Sequence, residues 1–288
     1  MRYDMKLISA LYLLLVLTWG EEHSFNGTVY YNATSNTYKV KLGVIDCTNG
    51  VACGYFDDAL NRTGMGVLEI QTQKPSESSK ITDYNRMYGA GYLEGYLSCY
   101  EIYWSYYAGW MNVKPSLEPF MTELQNWTST QKAWINDNIE KYSSSDPLWQ
   151  YTELLMGQFY GVKDGYNAAI EELNTGLPPL DEFAFDFINA NEEWPDVVQA
   201  INDSMRVDWF AFKTSKQALN HRLKSGHCSG LIKVTPELDD IIFSHSTWFV
   251  FYVYVWRFQY WWMNRVYKIY SFELEMDIPT SRMVMSSC

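Results

Sequence analysis

Two short apolar segments joined by turn-forming residues constrain the fold of this chain more tightly than any other feature. Residues 231–234, LIKV, and residues 241–244, IIFS, are each typical of a short strand. Between them, residues 235–240, TPELDD, supply residue types that favour a turn. The sequence therefore predicts an antiparallel hairpin that closes around Pro236 and Glu237.

The predicted hairpin brings a cysteine and a histidine together. With that closure Val234 faces Asp239, and Cys228 faces His245. Directly opposed side chains lie about 5 Å apart at Cβ, which is close enough for a thiol and an imidazole to exchange a proton. The spacing thus predicts Cys228 as a catalytic nucleophile and His245 as its partner.

Other interpretations of these residues stay open. A single cysteine at the start of a strand is also typical of a small buried hydrophobe, and a single histidine is often structural. A metal site built from His227, Cys228 and His245 would lack a fourth ligand and the tight spacing that metal sites show. We therefore expect neither a metal nor another cofactor.

Three ordered motifs carry a resemblance to a known family. Residues 226–234, GHCSGLIKV, followed by residues 244–248, SHSTW, form one motif. Upstream lie residues 66–70, GVLEI, and residues 91–98, GYLEGYLS. In this order the motifs resemble those of the phospholipase B-like family, and the likeness extends over residues 27–248.

The resemblance implies an N-terminal-nucleophile hydrolase with an α+β fold, namely the N-terminal part of a four-layer α/β/β/α sandwich. Such a precursor cuts itself before its nucleophile, here between His227 and Cys228. The new α-amino group, with a pKa of about 7.7–8, serves as the general base for its own thiol. His245 is then expected to orient or polarise groups at the site.

The same resemblance implies hydrolysis of an amide or ester bond, with phospholipid acyl esters as the expected substrate class. It divides the chain at the nucleophile. We expect a signal peptide at residues 1–20, a portion before the nucleophile at residues 21–227, and the start of the nucleophile-bearing portion at residues 228–288.

Several features predict entry into the secretory route. Residues 1–20 combine Arg2 and Lys6 with an apolar core that is shorter than the ~20 residues of a membrane-spanning helix, although an uncleaved anchor is the alternative. Cys47 and Cys53 flank a turn-rich loop that a disulfide could close in an oxidising compartment. We expect a lysosomal or extracellular glycoprotein. The five N-glycosylation sequons begin at Asn26, Asn32, Asn61, Asn126 and Asn202.

The composition excludes one class of partner. The formal net charge is −12 and no basic patch is present, which argues against nucleic-acid binding. Hydrophobic residues make up 47% of the chain, enough for a sizeable core.

Residue periodicity predicts a helix over residues 82–107. Gly91 and Gly95 in this helix predict close packing against another helix. Tyrosines at positions 88, 92, 96 and 100 recur every four residues. They predict a stripe packed in the core, with a lipid-contacting face as the alternative. Cys99 is expected to be buried and inert.

The remaining elements follow from local patterns. Adjacent carboxylates at positions 181/182 and 192/193 diverge on a helix, so they are expected to be solvated and not catalytic. The predicted strands span residues 28–31, 38–42 and 65–73, and the predicted helices span residues 117–127, 129–142, 147–160, 164–174, 180–190 and 195–202.

Beyond residue 248 the chain departs from the family pattern. Residues 249–262 are dense in aromatic side chains, and only residues 263–268, MNRVYK, again resemble the family, at a helix. Because family members continue well past this length, we expect a C-terminally truncated member.

The alternative function is therefore that of a truncated, catalytically inactive secretory glycoprotein. It would bind lipid, a membrane surface or a partner chain through its aromatic residues. A papain-like cysteine protease is disfavoured because His245 follows Cys228 too soon.

Overall fold

The structure is a computed structural model that describes residues 24–58, 66–75, 80–190, 193–224, 228–247, 266–271 and 283–286. The expected signal peptide, the Asn61 sequon, His227 and the aromatic segment 249–262 lie outside these residues. Within them the chain mixes helices and strands, and the strands gather in one six-stranded sheet and one hairpin. The α+β class is confirmed at this level.

The strands and helices are as follows. The strands are β1 (Phe25–Asn32), β2 (Thr37–Leu42), β3 (Ala52–Asp57), β4 (Gly66–Thr72), β5 (Cys228–Val234), β6 (Ile241–Thr247), β7 (Val266–Ser271) and β8 (Met283–Ser286). The helices are α1 (Asp83–Leu97), α2 (Cys99–Leu117), α3 (Met121–Tyr142), α4 (Pro147–Glu172), α5 (Glu182–Asn189), α6 (Trp194–Ile201) and α7 (Ser215–Lys224).

The chain forms two compact units. The first holds the six-stranded sheet, α1 and residues 157–166 of α4. The second holds α2, α3, the rest of α4, the helices α5 to α7 and the β5–β6 hairpin.

The sheet of the first unit has the strand order β2-β1-β3-β4-β7-β8. Its first four strands pair antiparallel, which confirms the predicted β1–β2 hairpin and the predicted strand at β4. β7 then pairs parallel with β4, so the helix expected at residues 263–268 is wrong over its described part. The pairing fits the residues, since β7 contains Val266, Ile269 and two tyrosines, which are residue types that strands prefer.

A disulfide between Cys47 and Cys53 closes the loop between β2 and β3, as the spacing allowed. The loop lies over Thr28, whose hydroxyl donates to the Val44 carbonyl at 2.7 Å and accepts from the Asp46 amide at 2.9 Å. The disulfide thereby fixes the position of the segment that contains Val51, whose side chain is fully buried in the core.

Helix α1 begins at a capping box. The Thr82 hydroxyl accepts from the Asn85 amide at 3.2 Å, and the Asn85 side chain accepts from the Thr82 amide at 3.0 Å. These bonds satisfy backbone donors that a helix start otherwise leaves open. The helix ends at Ser98, so the single helix predicted over residues 82–107 is two helices.

Glycines on α1 and α4 let the two backbones touch. A Cβ on Gly91 would overlap the Gln158 carbonyl oxygen, and one on Gly95 would overlap the Val162 carbonyl oxygen. A Cβ on Gly161 of α4 would likewise overlap the backbone of α1 at residues 88 and 92. The predicted close packing is therefore confirmed. The helix break expected before residue 164 is wrong, because the glycines there serve packing and do not end the helix.

The tyrosines of the predicted stripe that lie on α1 pack inside the first unit, as the core interpretation predicted, whereas Tyr100 lies on α2 in the second unit and is half-buried. Tyr92 and Tyr96 are buried. The Tyr88 ring lies 4.5 Å from the Tyr38 ring of β2, and its hydroxyl donates to Asp164 of α4 at 2.5 Å. The stripe thus ties α1 to both the sheet and α4.

The second unit has its own aromatic core. Trp194 and Phe187 stack with ring centroids 6.3 Å apart, and the Trp194 indole donates to the Phe187 carbonyl at 3.3 Å. The break predicted near Thr128 is wrong, because α3 runs through it and the buried Thr128 hydroxyl donates to the Gln125 carbonyl at 3.0 Å. Cys99 is buried, as expected.

The backbone contact between α1 and α4 yields the first prediction. Gly91→Ala should lower the free energy of unfolding by about 1–3 kcal/mol or more, because the new methyl group meets a carbonyl that cannot move alone. Urea denaturation measures this loss.

The matched control is Gly109→Ala in α2. There a Cβ meets only the Phe187 ring edge, at 3.1 Å, and a ring can shift. Replacing a helical glycine also gains about 0.5–1 kcal/mol of helix propensity. Equal losses for the two variants would contradict the packing described for α1 and α4.

Candidate functional site

The predicted hairpin forms between β5 and β6, but its register differs from the expected one. Cys228 pairs with Thr247, and His245 pairs with Gly230. Val234 pairs with Ile241, not with Asp239. The hairpin is therefore confirmed, and the direct opposition of Cys228 and His245 is wrong by two residues.

The turn explains the shift. The Leu238 amide donates to the Thr235 carbonyl at 3.0 Å, and Leu238 then adopts a left-handed backbone with φ 59°. The Thr235 amide in turn donates to the Asp240 carbonyl at 3.0 Å, which makes these two residues the closing pair. The loop thus contains residues 236–239, where Pro236 and Glu237 alone were predicted.

The side chain of Thr235 stabilises this wider turn. Its hydroxyl donates to the Asp239 carboxylate at 2.7 Å and accepts from the Asp240 amide at 3.0 Å. Such side-chain bonds to the local backbone are typical of Thr and Asp in turns. They fix the register on which the position of Cys228 depends.

The observed register makes Cys228 and His245 diagonal neighbours. Diagonal positions in an antiparallel pair lie about 7–8 Å apart, which long and aromatic side chains still span. Thr247, which pairs with Cys228, lies two residues after His245 on β6. Because alternate residues of a strand share one face, Cys228 and His245 lie on the same face of the hairpin. The catalytic roles of Cys228 and His245 stay predictions.

Exposed apolar side chains follow the nucleophile position along the hairpin. Leu231 is 56% exposed, Ile232 78% and Ile242 53%. They alternate over both faces of the two-stranded sheet, which pairs with no further strand in the described part of the chain. The hairpin therefore offers apolar surface and backbone edges beside Cys228.

The segment before the hairpin carries an aromatic cluster that sequence spacing did not indicate. The His221 ring of α7 lies 5.7 Å from the Trp209 ring and 5.2 Å from the Phe212 ring. His221 is exposed, and so is the neighbouring Phe210. This cluster borders the sequence that leads to the nucleophile.

A charged cluster in the second unit joins residues that are distant in sequence. The Lys132 ammonium on α3 lies 2.6 Å from Glu182 and 2.7 Å from Asp186, both on α5. Lys132 and Asp186 are largely buried, with side chains 17% and 14% exposed. Burial raises the pKa of Asp186, and the opposing ammonium only partly offsets that rise.

Of the carboxylate pair at positions 181/182, Asp181 is exposed, as expected for a solvated residue, and Glu182 is half-buried. Asp181 caps α5, its side chain accepting from the Ala184 amide at 2.9 Å, and Glu182 pairs with Lys132. Both residues make structural contacts. Of the other pair, residue 192 lies outside the described residues.

The described residues contain no cluster of three or more His, Cys, Asp or Glu side chains placed to hold a metal ion. Among the described helices, none has the length and apolar character to cross a bilayer.

Comparison with known proteins shows the family. The family model described as Phospholipase B matches residues 52–288, and the chain belongs to this family. The resemblance carried by the three motifs is thereby confirmed.

Several curated relatives extend this finding. Phospholipase B-like 1 of Bos taurus is 30% identical over 267 residues, covering 91% of this chain and 44% of the relative. Phospholipase B of Crotalus adamanteus is 30% identical over 225 residues, covering 78% and 39%. Phospholipase B-like protein A of Dictyostelium discoideum is 28% identical over 299 residues, covering 98% and 48%. The chain thus spans less than half the length of these relatives.

The charged cluster predicts a specific pH dependence. The pKa of Asp186 is raised in the folded protein. At pH values between its ordinary pKa and the raised one, Asp186 therefore takes up a proton when the chain folds. The contribution of Asp186 to stability should therefore increase as the pH falls through that range. Urea denaturation at a series of acidic pH values should show that the free energy of unfolding of the wild type rises relative to that of Asp186→Asn as the pH falls.

Asp137→Asn, at an exposed position on α3, is the matched control for the loss of one charge. Parallel pH profiles for the wild type and Asp186→Asn would show that the buried cluster has no such effect.

Proposed function

We propose that this chain is a phospholipase B-like hydrolase that cuts itself before Cys228 and cleaves an amide or ester bond. Phospholipid acyl esters are the proposed substrate class. The observation that carries the proposal is that Cys228, in a chain of this family, is the first residue of a hairpin strand. Cleavage of the bond before Cys228 would leave the whole strand intact.

The proposed self-cleavage uses the chain's own groups. The Cys228 thiolate attacks the carbonyl carbon of His227, and the C–N bond between the two residues breaks as the acyl group moves to sulfur. The nitrogen takes up the proton and becomes the α-amine of Cys228. Water then hydrolyses the thioester, which returns the thiol and leaves a carboxylate on His227.

The mature site would act by the same chemistry on an external ester. The α-amine, with a pKa of about 7.7–8, takes the proton of its own thiol. The thiolate attacks the ester carbonyl, the alcohol leaves with a proton, and water hydrolyses the resulting thioester. His245, on the neighbouring strand, is proposed to orient or polarise groups during both steps.

The apolar surface of the hairpin supports an acyl substrate. The hairpin that begins at Cys228 exposes the side chains of Leu231 and Ile232 on β5 and of Ile242 on β6. Apolar surface of this kind gains free energy when it covers a hydrocarbon chain. The backbone edges beside it offer donors of the type that stabilise a tetrahedral oxyanion.

The proposed architecture follows the family expectation. Residues 21–227 would form the portion before the nucleophile, and residues 228–288 would open the portion that bears it. In the first unit, α1 forms a helix layer and the six-stranded sheet forms a sheet layer. The second sheet layer and the second helix layer of the α/β/β/α sandwich are proposed.

The proposed compartment is the secretory route, ending in the lysosome or outside the cell. The Cys47–Cys53 disulfide supports an oxidising route. Asn26, Asn32 and Asn126, which begin sequons, are exposed. A signal peptide at residues 1–20 is part of this proposal.

A second candidate function is a secretory glycoprotein without catalysis that binds lipid or a partner chain. The exposed side chains of Trp209 and Phe210 favour it, because they offer apolar aromatic surface for such binding. Both candidates share the fold and differ in the state of the bond before Cys228.

The intact mass of the deglycosylated, secreted protein at acidic pH tests the proposed hydrolase. We expect two fragments, the second beginning at Cys228, and a single uncut chain for Cys228→Ala. Cys99→Ala is the matched control, since it removes a buried thiol outside the hairpin and should leave the cut unchanged. An uncut wild-type chain would support the inactive glycoprotein and leave the family membership standing.

A further inference from the structure

The outer face of the β1–β4 sheet carries a row of residues that the proposed function does not use. Pairing places Asn26 opposite Tyr55 and Tyr55 opposite Glu69, so the three share this face. The Tyr55 hydroxyl donates to the Glu69 carboxylate at 3.1 Å. The opposite face of the sheet is the buried one, where Val29 and Ile70 are fully covered.

Both neighbours of Asn26 leave room around its side chain. On one side, the Gly43 amide donates to the Asn26 carbonyl at 2.9 Å, and a Cβ placed on Gly43 would meet nothing within 4 Å. On the other side, Tyr55 is 40% exposed and presents its ring directly across the ladder. Asn26 itself is exposed.

We propose that Asn26 carries an N-linked glycan whose first sugar packs on the Tyr55 ring. The open space above Gly43, on the other side of Asn26, leaves room for the rest of the glycan. The inference rests on the secretory route proposed above, and not on hydrolase activity. An exposed aromatic ring offers an apolar surface to the C–H face of a sugar. The Glu69 carboxylate beyond it can accept hydrogen bonds from sugar hydroxyls.

The attachment is a transfer from a lipid diphosphate oligosaccharide in the secretory pathway. The Asn26 amide nitrogen forms a bond to C1 of the first sugar, and the bond from C1 to the diphosphate oxygen breaks. The lipid diphosphate leaves, and the amide loses one proton. The Thr28 hydroxyl, which completes the sequon, becomes fully buried in the folded chain, so the transfer precedes folding of β1.

The other described sequons differ in their surroundings. Asn32 ends β1, and its side-chain Oδ1 accepts from the Thr34 amide at 2.9 Å. Asn126 is exposed on α3. Asn202 is half-buried, and its side-chain Oδ1 accepts from both the amide and the hydroxyl of Ser204. Of these four positions, Asn26 is the one opposite an exposed ring across a strand pair.

A glycan at Asn26 also limits how the sheet can be covered. In a four-layer sandwich the face away from the helices packs against a second sheet. A sugar chain on this face would keep the row from Gly43 to Glu69 open to solvent. Any second sheet would then have to leave this part of β1 and β3 uncovered.

Peptide mapping of the full chain, secreted from a eukaryotic host, tests the proposal. Enzymatic deglycosylation converts a glycosylated Asn to Asp, and we expect this conversion at Asn26. Asn26→Gln should lose one glycan from the intact mass. An unmodified Asn26 beside a modified Asn32 would overturn the proposal and leave the secretory route standing. A secreted chain without any modified sequon would overturn the proposal and the expected glycoprotein, and a chain that stays inside the cell would overturn the secretory route.

Thermal unfolding tests the contact with Tyr55. Enzymatic removal of the glycan should lower the Tm of the wild type by about 1–3 °C. The same treatment should lower it less in Tyr55→Leu, which lacks the ring. Tyr55→Phe keeps the ring and loses only the hydroxyl bond to Glu69, so it should respond as the wild type does. Equal shifts in all three proteins would overturn the packing of the sugar on Tyr55.

Discussion

The backbone contact between α1 and α4 is the constraint on which the first unit depends. Gly91 and Gly95 on one helix, and Gly161 and Gly165 on the other, remove the side chains that would otherwise separate the two backbones. The tyrosine stripe of α1 can then reach the sheet on one side and Asp164 on the other. Two of the motifs that carry the family resemblance, at β4 and in α1, lie in this unit.

The motif that holds the proposed nucleophile lies in the second unit, in a hairpin of different character. The first unit buries Val29, Leu68 and Ile70, whereas Leu231, Ile232 and Ile242 of the hairpin are exposed. A two-stranded hairpin is marginally stable by itself in water. The scaffold and the proposed chemistry are therefore carried by parts of the chain that differ in how they are stabilised.

Local patterns predicted the type of most elements, and they located breaks and register less well. The β1–β2 hairpin and the packing role of Gly91 follow from residue types at fixed spacing. The register of the β5–β6 hairpin does not, because a left-handed backbone at Leu238 is unusual for a leucine and has no sequence signal. The ion pair from Lys132 to α5 joins residues 50 positions apart, which no local pattern reveals.

Native-state hydrogen exchange tests the central claim, that the glycine contact anchors one stable unit while the nucleophile hairpin is held more weakly. The account predicts the slowest amide exchange in α1 and in residues 157–166 of α4, and much faster exchange in β5 and β6. Exchange in the hairpin as slow as in α1 would contradict it, because the hairpin would then share the stability of the packed unit.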